Sequence, residues 1–88
     1  MNYQIYVARE AEKLLDRLDR TAERRIRERI SLLAEDAFDP RLSAALIERK
    51  SLRKSRVGDW RILFTVNQVA KVLYVLTADT RGQVYKHL

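Results

Sequence analysis

Leu52-Arg53-Lys54-Ser55-Arg56-Val57-Gly58-Asp59-Trp60-Arg61-Ile62-Leu63-Phe64-Thr65-Val66 is the stretch from which the fold can be built. Leu52 to Val57 and Trp60 to Val66 have the make-up of two strands, and Val57-Gly58-Asp59 between them has that of a tight turn. Ala70 to Ala78 supplies a third strand, joined at Asn67-Gln68, so the second half of the chain reads as a three-strand meander. Along the middle strand Trp60, Ile62, Phe64 and Val66 fall on one face and Arg61, Leu63 and Thr65 on the other. The first set is expected to pack under helices, with Trp60 in the core, and Arg61 to point away.

Upstream, Tyr3, Ile5 and Val7 alternate with Asn2, Gln4 and Tyr6, the period of a half-buried strand. From Arg9 the rhythm changes. Ala11, Leu14, Leu15 and Leu18 fall at i, i+3, i+4 and i+7, which predicts a helix over about residues 9 to 18. Ala22, Ile26, Ile30, Leu33 and Ala37 predict a second over about 22 to 36, with Thr21 or Asp19 as N-cap and Asp39-Pro40 as the stop. Glu23 with Arg27 and Arg24 with Glu28 are i, i+4 pairs on its exposed face. Residues 41 to 50 fit neither rhythm and receive no element. The expected fold is α+β, a small single domain over residues 1–88. It has an N-terminal strand and a two-helix hairpin packed on an antiparallel sheet that ends in the C-terminal three-strand meander.

Eighty-eight residues leave room for one modest core, because a chain this short buries only about 60% of its unfolded surface. The longest apolar run, Val72 to Leu76, is far short of a membrane span, and the N-terminus lacks the pattern of a secretory signal. A cytoplasmic protein with no membrane partner is expected. Without cysteine there is neither a disulfide framework nor a thiolate nucleophile, and a single imidazole, His87, does not make a metal cage. No cofactor and no metal are expected, so any chemistry falls to Lys, Arg, Tyr, Asp, Glu or His87.

Charge is distributed unevenly. Residues 1 to 48 carry nine basic and ten acidic side chains, and residues 49 to 88 carry nine basic and two acidic, Asp59 and Asp79, a net +7. Positive potential confined to one part of a chain attracts a polyanion there, and nucleic acid is the usual one. Arginine outnumbers lysine 13 to 5, which suits phosphate, although the arginines at 24, 25, 27 and 29 are accounted for by ordinary helix solvation. Lys54 and Arg56 sit two apart and project from one strand face. A tight turn at Gly58 brings Arg56 towards Arg61, a like-charge arrangement tolerated best where an anion sits. A solvated basic hairpin is the bland alternative, and six bases against the lone Asp59 over residues 49 to 61 weigh towards phosphate. Arg81 and Tyr85 follow the last strand, and a short excursion returns them to the same face. Tyrosine there offers a stacking ring and a phenol able to exchange a proton. His87, next to last, reads as a bystander.

The order of elements, with Arg56-Val57-Gly58-Asp59-Trp60-Arg61-Ile62-Leu63-Phe64 and then Arg81-Gly82-Gln83-Val84-Tyr85, resembles the RelE/ParE superfamily of toxin–antitoxin toxins, RelE branch, over essentially the whole chain. The sequence departs from the family pattern at Thr80-Arg81-Gly82-Gln83-Val84-Tyr85, where His-Arg-Arg-Glu-Val-Tyr is common, and at Arg53, where an aromatic is common. The resemblance implies a ribosome-dependent, metal-independent endoribonuclease that cuts messenger RNA in the decoding site. Its implied partners are the ribosome, mRNA and a cognate RelB-like antitoxin in a hetero-oligomer.

RNA brings its own nucleophile, the 2′-hydroxyl, so the enzyme must deprotonate it, stabilise the phosphorane and protonate the leaving 5′-oxygen. Lys54 or Tyr85 would be the base, Arg61 would stabilise the transition-state phosphate with Arg56 beside it, and Arg81 would hold the phosphate or assist the leaving group. Lys50, Arg53, Arg56 and Lys86 complete the set as RNA contacts. The alternatives are a ParE-like inhibitor of DNA gyrase without nuclease activity and a catalytically weak module that only binds its antitoxin.

Overall fold

The computed structural model describes residues 2–46 and 51–80. Its elements are β1 (Gln4–Val7), α1 (Arg9–Arg17), α2 (Arg20–Glu35), β2 (Ala44–Ala45), β3 (Arg53–Val57), β4 (Trp60–Asn67) and β5 (Val72–Thr80). The five strands form one sheet in the order β1-β5-β4-β3-β2. The expected meander is β3-β4-β5. The sheet is mixed rather than wholly antiparallel, because β1 runs parallel to β5 with Gln4 opposite Val72 and Val7 opposite Val75. A parallel neighbour needs a crossover connection, and the two helices supply it.

Both helices lie on one face. Ala11 and Leu15 of α1 and Ile26, Ile30 and Leu33 of α2 meet Ile62 and Phe64 of β4 and Leu73, Val75 and Ala78 of β5 in the main core. α2 starts two residues before the expected 22, since Asp19 is the N-cap, its Oδ1 accepting from the Ala22 amide at 2.8 Å. It stops at Glu35, before Asp39-Pro40, and Ala37 joins the core from the connector beyond. Arg27 donates to Glu23 at 2.9 Å, as the i, i+4 spacing predicts, and also reaches Glu12, tying α1 to α2.

One further expectation is corrected, and one is completed. Trp60 packs against the core but is only half-buried, because it opens β4 at the hairpin end. The strand face that carries Arg61, for which the sequence pattern names no packing partner, holds a second, smaller core in which Leu63 is buried with Leu46 and Leu52 against Leu76. Residues 41 to 46, which carry no readable period, explain this: they fold back as a connector and the two-residue edge strand β2 beside β3, which brings Leu46 onto Leu63 and Leu52. A β-bulge between Leu63 and Phe64 shifts the register from Phe64 opposite Val75 to Leu63 opposite Thr77, which places Leu76 at the irregularity. No helix among the described residues is long and apolar enough to cross a membrane.

Candidate functional site

The β3–β4 hairpin turns through Gly58 and Asp59, with Val57 opposite Trp60. Gly58 has φ +58°, the left-handed conformation that the tight hairpin turns require at their first central position and that glycine adopts without strain. The turn fixes the register of the next pair, Arg56 opposite Arg61, so the two guanidinium-bearing residues are cross-strand neighbours. Lys54 is two residues back on the same face, opposite Leu63. On its other side Arg61 faces Asp79 of β5.

These residues line a groove of about 250 Å³ on the sheet face away from the helices. Lys54, Arg56 and Arg61 of the sheet line it together with Pro40, Arg41 and Leu42 of the connector. Arg56 is exposed, whereas Lys54 and Arg61 are half-buried and the Arg61 Nε is buried. Partial burial matters for the chemistry, because charge held in a sheltered groove acts on an anion through less water than charge on an open surface. Four cations lining one groove, Arg41, Lys54, Arg56 and Arg61, suit a phosphate group. Among the described residues no cluster of His, Asp and Glu is arranged to hold a metal ion.

The structure divides the predicted site residues. Lys54, Arg56 and Arg61 are brought together. Arg53 is not with them: strand alternation turns it to the other face, where its Nε donates to Ser43 Oγ at 2.7 Å and its guanidinium lies 4.7 Å from the centre of the Phe38 ring. It braces the connector rather than lining the groove. Lys50, Arg81, Tyr85, Lys86 and His87 lie outside the described residues. Thr80, the last described residue, pairs with Trp60, so this part of the chain ends beside the strand that carries Arg61.

Two residues escape the sequence reading. Arg29, which helix solvation seemed to account for, donates from Nη1 to Ser55 Oγ at 3.0 Å and to the Arg56 carbonyl at 2.6 Å. It pins β3 from the helix side at the two positions next to Lys54 and Val57. The signal available was position: Arg29 is three residues after Ile26 and four before Leu33, at the margin of the buried stripe rather than on the solvent face. Arg41 belongs to the unperiodic segment. Its backbone amide and Nε donate to Asp39 Oδ1 at 2.9 and 3.1 Å, and its Nη2 donates to Oδ2 at 2.8 Å. These bonds hold the Asp39 carboxyl below the usual carboxylate range and raise the Arg41 pKa above that of a free arginine. With a lowered folded pKa, the contact is complete above the ordinary carboxylate range and is lost only as pH falls through the lowered value.

The Arg29 anchor has a measurable consequence. Arg29→Met keeps most of the aliphatic stem and removes both donors, leaving the buried Ser55 hydroxyl without this partner, at a cost of about 1–3 kcal/mol. The thermal unfolding midpoint is expected to fall by several degrees, and an unchanged midpoint would show that the two bonds contribute nothing.

No protein-family model matches the chain, and no curated protein sequence matches it. Solved structures do. The toxin chain of the archaeal RelE–RelB complex from Pyrococcus horikoshii is 27% identical, with a TM-score of 0.79 over 94% of this chain and 99% of that one. A double mutant of the E. coli toxin RelE in the free state is 17% identical, with a TM-score of 0.81 over 98% and 93% of the two chains. The YoeB/ParE toxin from Agrobacterium tumefaciens is 14% identical, with a TM-score of 0.76 over 89% and 98%.

Proposed function

We propose that this chain, which has the fold of the RelE-like superfamily, is the toxin of a toxin–antitoxin pair and cuts messenger RNA on the ribosome. The observation that carries the nuclease reading is the convergence of Lys54, Arg56 and Arg61 on one groove, with the hairpin register making the two arginines direct neighbours. That arrangement suits the one transition state the sequence pointed to, in which the 2′-hydroxyl attacks the adjacent phosphorus and negative charge builds on the non-bridging oxygens. Arg61 and Arg56 stabilise that charge, and they act more strongly in the transition state than on the bound substrate because the charge is greater there.

Lys54 takes the 2′-hydroxyl proton, and Tyr85 is the other candidate for this role. Arg81 holds the phosphate or assists the leaving 5′-oxygen. Lys50 and Lys86 supplement the RNA contacts. The products are a 2′,3′-cyclic phosphate and a 5′-hydroxyl. Such an activity belongs in the cytoplasm, where translation takes place.

A restraining partner follows from the same reading, because a protein that stops translation needs neutralising in a growing cell. Several of the similar structures are toxins solved with antitoxins, among them the RelB–RelE complex from Methanococcus jannaschii. A RelB-like antitoxin with acidic residues complementary to the +7 half of the chain would associate fast at low salt. In vitro translation with a labelled message tests the assignment: the expected result is a shortened message in the presence of ribosomes and protection by the antitoxin. The similarity to the YoeB/ParE toxin keeps a second reading in view. Inhibition of gyrase with the message left at full length would favour it.

A further inference from the structure

The connector after α2 also lines the groove, and Arg41 is the cation it contributes. The Arg41 side chain is 86% exposed yet fixed, because Nε and Nη2 are both bonded to the two oxygens of Asp39. Asp39 is itself built into the turn: its backbone carbonyl accepts from the amides of Leu42 and Ser43, each at 2.9 Å. An exposed arginine ordinarily samples many rotamers and gives up that freedom when it binds. The contact with Asp39 restricts that freedom before any ligand binds. The two bonds to Asp39 use two of the five guanidinium N–H donors, and the remaining three are available to a ligand. Since β2 pairs Ala44 with Lys54, the connector leads directly into the strand beside β3, which carries Lys54 and Arg56.

The geometry points to Arg41 as an RNA-binding residue that grips a backbone phosphate in the groove it shares with Lys54, Arg56 and Arg61, oriented by its bonds to Asp39. This rests on the reading that the groove takes RNA. A cation contributed by a separate chain segment lets the groove bind a phosphate neighbouring the one at Arg56 and Arg61, which fixes the register of the strand. Arg41 therefore contributes affinity and register, and the reacting phosphate stays with Arg61.

The test is the salt dependence of binding, measured with the full chain and a short single-stranded RNA carrying 2′-O-methyl groups so that it cannot be cut. Each phosphate contact on a single strand contributes about 0.7 to the slope of log affinity against log salt. Arg41→Ala is expected to weaken binding roughly five- to tenfold at low salt and to make the slope shallower by about 0.7. Arg41→Lys keeps the charge and is expected to restore the slope while recovering only part of the affinity, since lysine lacks the planar fork. A general loss of fold would not be rescued in this way.

An unchanged slope in Arg41→Ala, or no binding by the unmodified chain, overturns the inference. Cleavage of message on ribosomes is scored in parallel and separates the two levels. Intact cleavage with an unchanged slope removes Arg41 alone. A slope lowered by Arg41→Ala in a chain that cuts nothing supports the phosphate contact and rejects the nuclease reading.

Discussion

Arg61→Ala is expected to slow message cleavage about a hundredfold or more, with the protein still folded. The rate effect follows from the position of Arg61, half-buried in the groove and opposite Arg56, where its guanidinium would meet the charge that develops on the phosphorane in the proposed reaction. Loss of one such donor costs on the order of 3 kcal/mol of transition-state stabilisation. The fold survives because Arg61 belongs to neither apolar core, and the helix-facing residues of the same strand, Ile62 and Phe64, are untouched. Single-turnover rates and an unfolding curve check the two halves separately. Arg61→Lys should fall between the two, keeping charge and losing bidentate contact. A folded Arg61→Ala variant that cuts at the normal rate would remove Arg61 from the active site.

The second large effect separates proton transfer from stacking. Lys54→Ala is expected to slow single-turnover cleavage on ribosomes by about 10²- to 10⁴-fold and to remove the limb of the pH–rate profile that reports the base. Tyr85→Phe keeps the ring and loses only the hydroxyl, so it should remain near the unmodified rate, and Tyr85→Ala should bind less well. Lys54 is preferred as the base because it shares a strand face and the groove with Arg56 and Arg61, the residues proposed to hold the reacting phosphate. A slow Tyr85→Phe variant beside a fast Lys54→Ala variant would reverse the assignment.

Much of this architecture is legible in the sequence because its elements are strongly periodic and its turn chemistry is specific. Alternation over residues 60 to 66, the glycine at 58 and two 3.6-residue stripes are local signals, and they specify the meander, the hairpin register of Arg56 with Arg61, and both helices. What escapes them depends on residues distant in sequence. The parallel pairing of β1 with β5 leaves no mark on either strand. Leu63 has no evident packing partner until Leu46 and Leu52 arrive over it from a segment with no period of its own. Arg53 and Lys54 are adjacent and equally basic, and only the strand's alternation, read together with Ser43 and Phe38, separates the brace from the groove wall. Arg29 and Arg41 were hidden for the same reason, since one looks like helix solvation and the other lies in an unreadable connector, and both act through hydrogen bonds that composition does not record.

The central claim is that the RNA supplies the nucleophile and the cationic groove does the rest. It is tested most directly by a message carrying a single 2′-deoxy nucleotide at the position that is otherwise cut in the decoding site, incubated with ribosomes and the purified chain. The unmodified message should be cut there to a 2′,3′-cyclic phosphate and a 5′-hydroxyl, and the deoxy message should remain intact at that position while still occupying the ribosome. Cutting of the deoxy message at the same position and rate, or no cutting of either, would contradict the account.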